Sequence, residues 1–157
     1  MLNIAIYSAP FDNISVSVAQ DLFEIAVPST AAILLLSAKI GLADTETNEQ
    51  LRIVLKRGSG AMTSGSGGGT ITPVPHNGKF SASSCTVERN NATLATGGTI
   101  TDLEADGFPT QGGWVYLPTP EERIWFGPST WAILRLVNAP GAAMNMSGRI
   151  TWGEVIA

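Results

Sequence analysis

Residues 13–27 read Asn-Ile-Ser-Val-Ser-Val-Ala-Gln-Asp-Leu-Phe-Glu-Ile-Ala-Val, and this stretch decides the fold class. Its apolar side chains recur at every second position: Ile14, Val16 and Val18, then Phe23, Ile25 and Val27. Successive side chains of a β-strand point to opposite faces, so this alternation predicts strands with one buried face.

The same period extends in both directions along the chain. Leu2, Ile4 and Ile6 alternate in the N-terminal segment, and residues 31–40 are apolar on both faces. Further candidate strands are 51–55, 70–74, 86–88, 93–103, 114–117, 123–126, 131–137 and 149–155, with Gly97-Gly98 as a candidate hairpin turn. No segment shows a capped, amphipathic helical pattern. We therefore predict an all-β protein, an antiparallel β-sandwich or jelly roll, with a barrel as the other closed arrangement.

The chain of 157 residues fits one domain, which we place at 1–157. Residues 58–69 contain six glycines, so we predict a long, flexible glycine-rich loop. Residues 1–10 end at Pro10, which lacks a backbone donor, and this predicts an N-terminal arm separable from the next strand. The arm pairs within its own sheet or with a neighbouring subunit, and its own sheet is favoured.

Charge is scarce: 14% of residues are charged, whereas about 25% is typical of soluble domains. A chain so poor in charge either coats its surface with Ser, Thr, Asn and Gly or buries surface against partner proteins, and this sequence indicates both. The second explanation predicts an oligomer. The net charge of −4 and scattered basic residues argue against nucleic-acid binding. The N-terminus lacks a signal-peptide pattern, and the longest apolar run, Ala31 to Leu36, is too short to span a bilayer. We expect synthesis in a cytoplasm and no membrane partner.

The candidate chemical motifs are weak. Gly69 is followed by Thr70, so the phosphate-binding lysine of a P-loop is missing. The single histidine, His76, and the single cysteine, Cys85, cannot form a zinc site. We expect no cofactor, metal or catalytic residue, although a fold-assembled site using His76 remains an alternative. The spacing of Asp102, Glu104 and Asp106 puts three carboxylates on one face of a strand, as either a solvated edge, which we favour, or a calcium site.

All four tryptophans, Trp114, Trp125, Trp131 and Trp152, lie in the last third of the chain. Core packing or subunit contact is favoured over sugar stacking. Trp125 alternates with Ile124 and Phe126, so it faces outward if those two are core. The predicted interface residues are Trp114, Trp125, Trp131, Leu2, Ile4 and Ile6.

Several stretches resemble a known class of protein. They are Tyr7-Ser8-Ala9 leading to Asp12-Asn13-Ile14-Ser15-Val16, Ala19 to Ile25, Ser64 to Thr70 with Thr72-Pro73, Pro118 to Arg123 and Met146 to Thr151. In these stretches the chain resembles small jelly-roll or β-sandwich virion proteins of tailed bacteriophages. The resemblance implies a non-enzymatic virion component. Its expected partners are capsid or other virion subunits.

The first hypothesis from this resemblance is a capsid decoration or cement protein, a homo-oligomer and most simply a trimer, that stabilises the assembled capsid. The second is a tail-associated module that binds a receptor or glycan. The third is an enzyme such as a glycan hydrolase.

Overall fold

The computed structural model describes residues 4–44 and 48–156, and these residues are almost entirely β-structure. The strands are β1 (Ala5–Val16), β2 (Gln20–Ala26), β3 (Ala31–Leu42), β4 (Gln50–Thr63), β5 (Gly69–Ile71), β6 (Val74–Pro75), β7 (Thr86–Asn91), β8 (Thr96–Pro109), β9 (Trp114–Tyr116), β10 (Trp125–Phe126), β11 (Thr130–Leu136) and β12 (Met144–Ile156). A 3-10 turn, Pro120–Glu122, joins β9 to β10. No helix in the described ranges is long and apolar enough to cross a membrane.

The strands form two antiparallel sheets that pack face to face, which confirms the predicted β-sandwich. Sheet A has the order β10-β3-β12-β1-β6, with β9 also paired to β3, and sheet B has the order β5-β7-β2-β11-β4-β8. The pairing is nested: β1 pairs with β12, β2 with β11, β3 with β10, and β4 with β8. A long two-stranded ribbon rolled across two sheets gives this order, which is the winding of a jelly roll.

Most of the alternating side chains quoted above face the space between the sheets, namely Val16, Phe23, Ile25 and Val27, with Ile14 packed against them. Val18 is the exception, because it lies in the turn between β1 and β2 and is exposed. Phe23 and Ile25 are fully buried, and the ring of Phe23 meets that of Phe11 at 5.1 Å between centroids. Trp152 of β12 is fully buried and stacks on Tyr7 of β1. Burying side chains of this size supplies most of the driving force for folding.

The N-terminal segment belongs to its own sheet. Residues 5–10 pair with β12, and β1 continues without a break to Val16. Pro10 does not separate an arm from the rest of β1. Strand β6 pairs with β1 only at Tyr7 and Ser8, so at Pro10 this side of β1 is a sheet edge. A sheet edge tolerates proline, because no partner strand there needs its missing N–H group. The irregularity expected at Pro10 occurs instead between Phe11 and Ile14. Leu2 lies outside the described residues.

Two predictions about glycines need correction. Gly97 and Gly98 are not a hairpin turn: they lie within β8, where positive φ angles of 82° and 51° accommodate a register shift against β4. The predicted loop 58–69 also begins too early, because β4 runs to Thr63 paired with β8, and Gly69 already starts β5. The loop itself is 64–68, and its flexibility in solution stays a prediction.

Two tryptophans provide a matched test of this packing. Trp152→Ala removes a fully buried side chain and should lower the free energy of unfolding by about 3–5 kcal/mol. Trp125→Ala removes a half-exposed one and should lower it by less than about 1 kcal/mol. Urea denaturation followed by circular dichroism measures both. Equal losses for the two variants would contradict the assigned core.

Candidate interaction surface

The outer face of sheet A carries an uncovered group of apolar side chains. Four residues lie directly opposite one another across its strands: Ile6 of β1, Gly153 of β12, Leu34 of β3 and Trp125 of β10. Directly opposed residues of an antiparallel ladder share one face. That face is the outer one, because the neighbouring residues Ile33 and Phe126 are fully buried in the core.

Gly153 forms a hollow in this row, and Ile4 fills it. A Cβ atom at Gly153 would lie 2.4 Å from Ile4 Cγ2, so a larger residue at this position would displace the isoleucine. Ile4 is 37% exposed and Trp125 is 48% exposed, while Ile6 and Leu34 are half-buried. We call the set Ile4, Ile6, Leu34 and Trp125 the apolar face.

The apolar face brings together three residues that the sequence suggested from distant segments, namely Ile4, Ile6 and Trp125. The outward orientation of Trp125 is as expected from the burial of Phe126. Leu34 was not among the predicted interface residues. The signal was present in the sequence, because residues 31–40 are apolar on both faces, and the outward set of that strand contributes to the apolar face.

The other two predicted tryptophans lie elsewhere. Trp114 is only 5% exposed, stacks on Tyr116, and donates from Nε1 to Asp106 Oδ2 at 3.2 Å. Its burial favours the core alternative over the interface. Trp131 is half-buried on the outer face of sheet B, opposite Gly58, so the structure does not bring it together with Trp125.

The three carboxylates of β8 do not share one face. Asp102 is paired with Lys56, while Glu104 is paired with Leu55, so Leu103 is an extra residue between them. This bulge turns Asp102 outward, where it forms an ion pair with Lys56, and turns Glu104 and Asp106 toward the inner side. Within the described ranges no group of three or more metal-ligating side chains occurs, so the calcium alternative has no ligand set there.

Two acidic residues of sheet B, Glu24 and Glu88, hold the loop 64–68. Glu24 is almost fully buried and accepts hydrogen bonds from Ser64 Oγ (2.6 Å), Asn91 Nδ2 (2.9 Å) and the amide of Gly65 (3.2 Å). Glu88 is bonded to the same serine and asparagine at 3.0 and 2.7 Å. Burial raises the pKa of Glu24 despite these donors.

Glu154 is a second buried carboxylate, at the end of the sandwich near the start of β7. It accepts hydrogen bonds from Ser83 Oγ at 2.5 Å, from the amide of Ser84 at 2.9 Å, and from the Ser84 hydroxyl. Burial alone would raise the pKa of Glu154, but these donors outweigh it and the pKa is lowered. Burial and the nearby Glu154 raise the pKa of the Cys85 thiol to about 12, so this cysteine is a poor nucleophile.

These polar clusters act as structural links. Asp21, fully buried, binds Arg135 through both carboxylate oxygens at 2.5 and 2.9 Å and accepts the amide of Ala95 at 2.7 Å. In each cluster the carboxylate is tied to backbone amides or side chains of a crossing loop. His76 is exposed, and its amide donates to Ile6 O at 2.8 Å. The arrangement satisfies buried charge and fixes loops on the sheets.

No protein-family model, curated protein or solved structure matches this chain.

The opposite pKa shifts of the two buried glutamates predict opposite pH dependences. A lowered native pKa means that Glu154 stabilises the fold above its ordinary range, and this stability is lost as pH falls through the native value. Glu154→Gln should therefore be less stable than the parent at pH 7, with a difference that shrinks toward pH 3.

The raised native pKa of Glu24 has the reverse sign. Its contribution is complete below the ordinary glutamate value of 4.5 and is lost as pH rises through the native value. The stability of Glu24→Gln relative to the parent should thus improve from pH 4 to pH 7. Urea denaturation at several pH values measures both variants, and parallel curves for the two would contradict the assignment.

Proposed function

We propose that this protein is a non-enzymatic structural component of a bacteriophage particle, a capsid decoration or cement protein that binds other subunits through the apolar face of sheet A. The observation that carries the proposal is the meeting of Ile4, Ile6, Leu34 and Trp125 on one uncovered sheet face. A cluster of this kind typically marks a protein contact, and tryptophan is a favoured anchor in such contacts. The resemblance of the sequence to small phage virion proteins is the reason for proposing a phage particle as the assembly.

The fold is compatible with this role. Jelly rolls occur in viral capsid domains and also in lectins, so the winding of the strands supports a particle protein by analogy only. The scarcity of charge adds a physical reason, because subunit interfaces are depleted in charged residues at their centre.

Clamping by an oligomer is the proposed mechanism of stabilisation. Once one subunit of an oligomer is bound to the shell, binding of the next is effectively intramolecular, so several weak contacts together hold firmly. A closed ring of three identical copies gives this arrangement with a single kind of contact. The apolar face is the proposed contact between copies or with the shell.

The tail-associated, glycan-binding alternative requires an exposed aromatic ring with hydrogen-bonding side chains around it. Trp125 is exposed, but its neighbours across the sheet are Leu34, Gly153 and Ile6. Aliphatic neighbours complement an apolar protein surface better than a sugar ring edged with hydroxyl groups. The geometry therefore favours the protein contact.

We predict that the purified protein is an oligomer and that the apolar face holds it together. Light scattering at micromolar concentration should give about three times the 16.4 kDa mass of one chain. The double variant Ile4→Ser/Trp125→Ser should fold but shift toward the monomer. Val18→Ser is the matched control, because Val18 is 41% exposed in the turn between β1 and β2.

A monomeric parent would leave the shell itself as the only partner of the apolar face. Binding of parent and double variant to purified capsids that lack the protein then decides the matter. Equal binding of both would overturn the proposed face.

The place of the protein in a particle is a separate prediction. Electron microscopy of purified phage particles carrying a labelled copy should locate it on the capsid. A label on the tail would instead select the alternative, and its absence from purified particles would contradict both.

A further inference from the structure

A second feature of the outer face of sheet A is a groove beside β9. One wall is a cross-strand row in which Pro10, Arg149, Lys39 and Val115 lie directly opposite one another on β1, β12, β3 and β9. The groove has a volume of about 480 Å³ and is closed on its other side by the turn 111–113. We call it the basic groove.

The charges in the basic groove are unbalanced. Arg149 and Lys39 are both exposed and occupy directly opposed positions of the ladder. Within residues 4–44 and 48–156 neither forms an ion pair with a carboxylate. Asp12, on the adjoining part of β1, accepts a hydrogen bond from Ser147 Oγ instead. Like charges placed directly opposite each other destabilise a sheet, and an anion between them would remove this penalty.

Gly41 leaves the floor of the groove open. Gly41 lies next to Lys39 on the same face, two positions along β3, and a Cβ atom built on Gly41 would have no atom within 4 Å. Gly148 is different, because it lies directly opposite the core residue Ile40 and a Cβ atom there would point inward, 2.7 Å from Ile40 Cδ1. The space above the sheet is thus free beside the two cations.

We propose that the basic groove binds an extended, acidic segment of a partner protein, whose carboxylates pair with Lys39 and Arg149. The row from Pro10 to Val115 spans four strands, about 14 Å at the usual strand spacing, which accommodates an extended segment of about four residues. The exposed side chains of Pro10 and Val115 at its ends offer apolar contact on either side of the charges. The inference rests on the proposed function only in taking the partner to be a protein subunit.

Titration with acetylated hexaglutamate amide tests this inference by nuclear magnetic resonance. The amide signals of Gly41, Gly112, Gly113 and Gly148 should shift as the peptide is added, and the neutral hexaglutamine peptide should shift none of them. The binding should weaken as salt is raised, because the contacts are exposed ion pairs. Hexaglutamate that leaves these four signals unmoved at millimolar concentration would overturn the proposal.

Variants assign the binding to the groove. Lys39→Gln/Arg149→Gln removes both cations and should weaken hexaglutamate binding by about tenfold or more. Lys79→Gln/Arg52→Gln removes two exposed charges elsewhere and should leave binding within about twofold of the parent, because distant exposed charges are screened. Gly41→Leu fills open space and should block the peptide while leaving the fold intact.

Three outcomes would count against the groove. Equal weakening by the two charge-removal pairs would show a general attraction to charge. Unchanged binding in Gly41→Leu would place the peptide elsewhere. Inorganic phosphate that shifts the same glycine signals at lower concentration than hexaglutamate would indicate a site for isolated oxyanions.

Light scattering separates this inference from the proposed function. The groove variants keep the apolar face and should retain the parent mass. A parent that has the oligomer mass but does not bind the peptide would contradict the basic groove alone. A parent that is monomeric but binds the peptide would contradict the apolar face as the contact between copies, and not the basic groove.

Discussion

The pairing of the first strand, β1, with the last, β12, is the constraint on which the rest of the structure depends. Strand β12 lies in the middle of sheet A, between β1 on one side and β3 on the other. Each remaining long strand pairs inside this first pair, so the roll closes only when β12 pairs with the first strand. Such contacts join residues far apart in sequence, and their loop-closure entropy must be offset by burial such as that of Trp152 against Tyr7.

The two outer faces of the sandwich differ in how much of each is covered by loops of the described chain. On sheet B the chain covers itself: the loop 64–68 binds Glu24, and Ala95 of the β7–β8 connection binds Asp21. Ile133, opposite Glu24, is fully buried although it points away from the core between the sheets. Carboxylates buried in this way are tolerated because each is supplied with several donors.

On sheet A the described chain leaves much of the outer face open. The apolar face and the basic groove lie on this same side, one toward β10 and the other toward β9. The apolar face lies beside two cations, Lys39 and Arg149, that have no carboxylate partner among the described residues. Protein-binding surfaces have this composition, with an apolar anchor and charges that orient the partner. This asymmetry between the two sheets is the structural basis of the proposed role in assembly.

The sequence by itself determined the strands and the fold class, because the two-residue period is a local property that fixes which side chains face inward. It also indicated an outward Trp125, since that residue alternates with Phe126. The sequence could not show that Ile4, Leu34 and Trp125 meet, that Lys39 faces Arg149, or that a bulge at Leu103 separates Asp102 from Glu104. These are matters of strand register, and a shift of one residue reverses every side chain. Likewise, the six glycines predicted a loop, but only the packed structure placed Gly58 in β4 and bonded Gly65 to Glu24. The buried carboxylate of Glu24, on β2, is a partner that no local sequence pattern records.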